Sequence, residues 1–126
     1  MSRKIVMIDD DSDFLEIHKT ILSKEGYEVL TSQDSTEGIK LIKDTMPDLV
    51  ILDVMMGSAD EGFNVARTLR EDEKFANLPI ILLSSINQTQ DGWQFGPDER
   101  WNAIDSFIDK PVKKEELIRK VKAALS

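Results

Sequence analysis

The sequence predicts an α/β fold, a parallel sheet with helices on both faces, and three observations lead there. Short apolar runs of strand length recur, each stopping abruptly on polar residues. The stretches between them carry helical spacing and helix caps. Strand and helix alternate about five times within 126 residues, the size of one compact domain. No composition break, repeat or low-complexity segment divides the chain, so residues 1–126 read as a single domain.

Lys4 to Ile8 is an apolar run that stops at Asp9, Asp10 and Asp11, as a strand buried on both faces does. Ser12 or Asp13 then caps a helix, with Glu16 supplying the capping-box acid three residues after Asp13. Phe14, Ile17 and Ile21 share one helical face, and Gly26 ends the helix. Tyr27 to Thr31 is the second strand. Asp34 with Glu37 opens a second helix carrying Ile39, Ile42 and Met46, which Pro47 ends. Leu49 to Leu52 forms the third strand and closes on Asp53. Phe63, Ala66 and Leu69 outline a third helix after a Gly-containing loop. Pro79 introduces the fourth strand, Ile80 to Leu83, ending at Ser84 and Ser85. Ser106 to Asp109 is a short fifth strand. From Lys113 onward, Leu117, Ile118, Val121 and Leu125 line the last helix. Between Ile86 and Ala103, which holds Gly92, Gly96 and Pro97, a weak helical signal comes late, around Asp98 to Ala103.

Composition narrows the function. Lys and Arg number 16 against 24 Asp and Glu, for a formal net charge of -8. Nucleic-acid-binding surfaces normally need a basic patch, so direct nucleic-acid binding is not expected, and an anionic membrane gains nothing from this charge. No run approaches the roughly 18 apolar residues of a spanning helix, and the N-terminus lacks a signal-peptide pattern. With no cysteine, disulfide, thiolate and zinc-thiolate chemistry are excluded. A cytoplasmic protein is the expectation.

In open α/β sheets ligands bind beyond the carboxyl ends of the strands. Those ends carry Asp9 and Asp10, Asp53, Ser84, and Asp109-Lys110-Pro111. Three converging carboxylates repel unless a cation joins them. Hard oxygen donors favour Mg²⁺, or Mn²⁺. Asp53 is then the natural nucleophile, since a carboxylate accepts a phosphoryl group as an acyl phosphate. Lys110 and the Ser84 hydroxyl suit the phosphoryl oxygens. Asp11 and Asp13 read as caps, and Ser85 as a loop or helix-entry hydroxyl.

Ile-Asp9-Asp10-Asp11, Leu-Asp53-Val-Met-Met, Ser84 and Asp109-Lys110-Pro111, taken in order, resemble the response-regulator receiver domain of two-component signalling. The resemblance implies a flavodoxin-like, doubly wound five-stranded parallel sheet of order 2-1-3-4-5. It implies phosphoryl transfer to Asp53 from a histidine kinase or histidine phosphotransfer protein. Asp10, Asp53 and the Met55 carbonyl would bind Mg²⁺, with Asp9 acting through water. Ser84 and Phe107 would take the switch positions, Lys110 that of the invariant lysine, and the Lys110–Pro111 bond would be cis. The output partner is open, and the state is a monomer or a phosphorylation-dependent dimer. The resemblance implies a phosphoacceptor rather than an enzyme acting on a separate substrate.

The sequence also departs from the family. Met56 is followed by Gly57 where Met-Pro is usual, and Glu61-Gly62 stands one residue late, which predicts a more flexible loop. The stretch from Ser84 to Lys110 is long and aromatic. Trp93, Phe95 and Trp101 there either tack down the loop or offer a partner face. Met55 and Ile86 provide no general base for an attacking water, so slow self-dephosphorylation is expected. His18 reads as a solvated or capping side chain, and the methionines as core or loop filler. Start and end positions favour a stand-alone regulator over a receiver cut from a hybrid kinase or larger regulator. A haloacid-dehalogenase-like phosphatase with Asp9 as nucleophile is the remote alternative, because only Glu115 and Glu116 follow the lysine.

Overall fold

The structure is a computed structural model that describes residues 3–53, 61–85 and 105–125. The elements run β1 (Lys4–Ile8), α1 (Ser12–Lys24), β2 (Glu28–Ser32), α2 (Ser35–Thr45), β3 (Leu49–Asp53), α3 (Glu61–Arg70), a 3₁₀ turn (Glu73–Phe75), β4 (Ile80–Ser85), β5 (Ser106–Lys110) and α4 (Lys114–Leu125). The strands form one five-stranded parallel sheet of order β2-β1-β3-β4-β5. This is the doubly wound arrangement expected from the sequence.

Period two sorts the residues of β1, β3 and β4 into two cores. Val6, Ile8, Val50, Leu52, Ile80 and Leu82 pack toward α2 and α3, meeting Ile42, Val65, Ala66 and Leu69. Ile5, Met7, Leu49, Ile51, Ile81, Leu83 and Ile108 pack on the other face, against Leu15 and Leu22 of α1 and Leu117 and Val121 of α4. Double-faced burial is why these strands read as unbroken apolar runs instead of alternating ones.

Two aspartates set the register at the amino ends of the strands. The Lys4 N–H donates to Asp48 Oδ2 at 2.8 Å, and the Asp48 N–H donates back to the Lys4 carbonyl at 2.7 Å. Asp105 repeats the device beside β4, accepting the Ile80 N–H at 2.8 Å and donating its own N–H to the Ile80 carbonyl at 3.0 Å. Arg70, at the end of α3, ties in at 2.9 Å to Asp105 Oδ2 and at 2.8 Å to the Phe75 carbonyl.

Several local expectations are corrected. The α1 cap is Asp11, not Ser12 or Asp13; its Oδ1 accepts the N–H groups of Asp13 and Phe14. The buried face of α1 is Leu15, His18 and Leu22, while Ile17 is 56% exposed. Two apolar series, offset by one residue, run along this helix, and the sheet takes the second. His18 is therefore buried, not solvated, because its Nδ1 lies 2.8 Å from the Phe14 carbonyl one turn earlier and its ring stacks on Phe14. Met46 is no core residue: it ends α2 in the left-handed conformation, φ 50°, and is exposed. Strand β2 begins one residue later than expected, at Glu28. In α2 the sequence reading passed over Gly38, which is buried against Ile8 of β1.

Candidate functional site

The register brings the strand ends together before any side chain is considered. Ile8 pairs with Leu52, so Asp9 and Asp53 follow side by side at the carboxyl edge. Asp53 pairs with Leu83, and beyond it Ser84 pairs with Asp109 and Ser85 with Lys110. Continuing the alternation of Ile5 and Met7, of Leu49 and Ile51, and of Ile108, the residues Asp9, Asp53 and Lys110 fall on the α1 and α4 side of the sheet.

Their side chains meet there. Lys110 Nζ lies 3.1 Å from Asp9 Oδ2 and 3.4 Å from Asp53 Oδ1. Asp9 is fully buried and Asp53 is 5% exposed. The other Asp9 oxygen accepts the Asp11 N–H at 3.0 Å, a bond formed as the chain turns into α1. Burial alone would lower the Lys110 pKa; the charges of Asp9 and then Asp53, with their hydrogen bonds, outweigh it and hold the ammonium above the ordinary lysine value.

Asp10 is exposed and completes the set: one carboxylate oxygen from each of Asp9, Asp10 and Asp53 lies within 4.8 Å of the other two. Three carboxylates against one ammonium leave a local surplus of negative charge. An all-oxygen donor set of this kind fits a hard divalent cation such as Mg²⁺.

Of the other expected site residues, Pro111 follows Lys110 through a cis peptide bond. Ser84 and Phe107 have strand positions in β4 and β5. Met55, Trp93, Phe95 and Trp101 lie outside the described residues, as do Ile86 and the Met56-Gly57 turn. Glu115 and Glu116 sit in the first turn of α4 and not at a strand end, so the acidic pair that a dehalogenase-like site needs is missing there. Sequence reasoning missed one neighbour. Lys110 Nζ stands over the Phe14 ring, 4.8 Å from its centroid. An aromatic in the first turn of α1, four residues after Asp10, was the available signal.

Comparison with known proteins agrees with this geometry. Residues 5–122 match the response regulator receiver domain family. The DNA-binding dual master transcriptional regulator RpaA of Synechocystis is 35% identical over 122 residues, covering 97% of this chain and 48% of that protein. The chain thus spans about half the length of that curated relative. Among solved structures, a response regulator receiver domain protein from Clostridium thermocellum superposes with a TM-score of 0.83 at 26% identity, over 98% of this chain and 94% of the other. The receiver domain of NtrX from Brucella abortus gives a TM-score of 0.81 at 27% identity, over 96% and 97% of the two chains. Chemotaxis response regulator CheY4 of Vibrio cholerae, 22% identical with a TM-score of 0.84 over 99% of this chain and all of that one, shares the fold. No helix among the described residues is long and apolar enough to cross a membrane. The chain belongs to the response regulator receiver domain family of two-component signalling.

Proposed function

We propose that this chain, as a single receiver domain over residues 1–126, accepts a phosphoryl group on Asp53 from a histidine kinase or histidine phosphotransfer protein. The observation that carries this reading is the placement of Asp53 beside Asp9, Asp10 and the Lys110 ammonium at the carboxyl edge of the sheet. An Asp53 oxygen attacks phosphorus, the bond from phosphorus to the donor's imidazole nitrogen breaks, and the nitrogen keeps the electron pair. Lys110 already lies on the Asp53 oxygen and follows the charge onto the phosphoryl group. Asp9, Asp10 and Asp53, with the Met55 carbonyl, would hold Mg²⁺. When bound, it neutralises charge on the transferring oxygens. Asp9 fixes Lys110 through the 3.1 Å bond and contributes to the ion through water.

Ser84 and Phe107 are the proposed switch pair, and Trp93, Phe95 and Trp101 a proposed partner face. Output then passes through protein contact, which the net charge of -8 favours over direct nucleic-acid binding. Alignment to about half of RpaA supports a second reading, in which the same receiver works within a longer regulator. In either setting the domain turns over no separate substrate, and its adduct is slow to hydrolyse.

Acetyl phosphate with Mg²⁺ should add about 80 Da to the chain, as one phosphoryl group does. Asp53→Ala should take up none. An Asp53→Ala protein that still gains the mass would overturn the assignment.

A further inference from the structure

We propose that Phe14 is a positioning residue for Lys110, its ring face holding the ammonium at the point where it serves phosphoryl transfer. The inference rests on the receiver reading above and extends it to a residue outside the acidic cluster. Asp9 and Asp53 draw Lys110 Nζ toward the sheet edge at 3.1 and 3.4 Å. Both anions lie on the sheet edge, and the Lys110 side chain keeps 26% of its exposure, so the two ion pairs do not enclose the ammonium. The Phe14 ring, 4.8 Å from Nζ to centroid, adds a third direction of attraction, well inside the range of about 6 Å for a cation–π contact.

The ring is itself fixed. Phe14 is half-buried against the α1 and α4 core. The His18 imidazole stacks on it with centroids 3.9 Å apart and an interplanar angle of 27°. His18 in turn is buried and held 2.8 Å from the Phe14 carbonyl. The helix that begins at the acidic turn therefore also supplies a rigid aromatic platform under the cation. A leucine would fill similar apolar space but present no negative π face.

The test follows phosphorylation of the full chain by acetyl phosphate and Mg²⁺, read by intact mass over time, for wild type, Phe14→Leu and Phe14→Tyr. Proton NMR of the Lys110 ε-methylene reports whether it lies in the ring current. We expect F14L to slow the reaction about threefold to tenfold and to lose the upfield ε-methylene shift, while F14Y keeps the shift and stays within about twofold of wild type. Phosphorylation of F14L at the wild-type rate overturns the proposal. Equal slowing of F14L and F14Y also overturns it, because the ring then serves packing alone. If wild type takes up no phosphate, the receiver reading fails instead, and the NMR arm decides Phe14. An upfield shift in wild type and F14Y, absent from F14L, sustains the platform; its absence from wild type refutes it.

Discussion

Lys110 and Asp9 are 101 positions apart in the chain and 3.1 Å apart in space, joined across the sheet by a bond from Nζ to a fully buried carboxylate. Removing the ammonium leaves Asp9 and Asp53 facing each other without their cation. Breaking a fully buried ion pair costs about 3–5 kcal/mol, but the exposed part of Lys110 is screened by water, so Lys110→Met should lose about 1–3 kcal/mol. Urea unfolding in EDTA measures the loss. Millimolar Mg²⁺ should recover part of it, more than it adds to wild type, because a cation held by Asp9, Asp10 and Asp53 replaces the missing charge. Equal Mg²⁺ effects on the two proteins would refute the shared-charge account.

The same pair has a pH dependence of definite sign. The Lys110 pKa is raised in the folded protein, chiefly because the two carboxylates outweigh the lowering effect of burial. Its stabilisation is complete below the unfolded lysine value of about 10.4 and is lost as pH rises through the higher folded value. The difference in unfolding free energy between wild type and K110M should stay flat from about pH 7 to 9 and shrink only above about 10. A decline already present at pH 8 contradicts a raised pKa.

Stability and chemistry separate at Asp11. Its carboxylate caps α1 through the Asp13 and Phe14 N–H groups, whereas its backbone N–H donates to Asp9. Asp11→Ala should cost about 1 kcal/mol of stability, and Asp11→Ser should retain most of it. The backbone donor survives both changes, so rates of acetyl-phosphate labelling should remain within about twofold of wild type. A tenfold slower D11A would show that the cap carboxylate takes part in the site.

Gly38 is where α2 touches β1. A Cβ there would fall on Ile8 Cδ1 and 2.9 Å from Ile8 Cγ1, and Ile8 is fully buried. Alanine gains about 1 kcal/mol of helix propensity over glycine, whereas overpacking a core costs about 1–3 kcal/mol. Gly38→Ala should therefore destabilise by about 1 kcal/mol. Ile8→Val removes the offending Cδ1, so a double-mutant cycle by urea unfolding should show favourable coupling of about 1 kcal/mol. Strict additivity would mean that Ile8 simply turns aside.

The sheet was legible because its central strands β1, β3 and β4 are buried on both faces and stop on polar residues at the site edge. Strand positions could be read from apolar runs, and Asp9, Asp53 and Lys110 from where those runs stop. Helix phase was less legible. In α1, Phe14-Ile17-Ile21 and Leu15-His18-Leu22 are both periodic, and only packing on the sheet chooses between them. His18 could not be placed from its type, since its burial depends on a carbonyl one turn away. The Phe14 platform was hidden for a related reason: a ring on α1 and an ammonium on β5 meet only through tertiary packing. The 3₁₀ turn that buries Phe75 likewise has no periodicity to reveal it.

Asp48 and Asp105 lie at the opposite edge of the sheet from the acidic cluster, yet their hydrogen bonds help hold the register that forms it. Pairing β5 one residue out of step would turn Lys110 to the α2 and α3 side, and the same slip in β3 would remove Asp53. A molecule with β1, β3 or β5 out of step cannot assemble the acidic cluster with its cation. On the proposed phosphoacceptor reading, phosphoryl uptake is therefore also an audit of folding fidelity: a labelled molecule has β1, β3 and β5 in step.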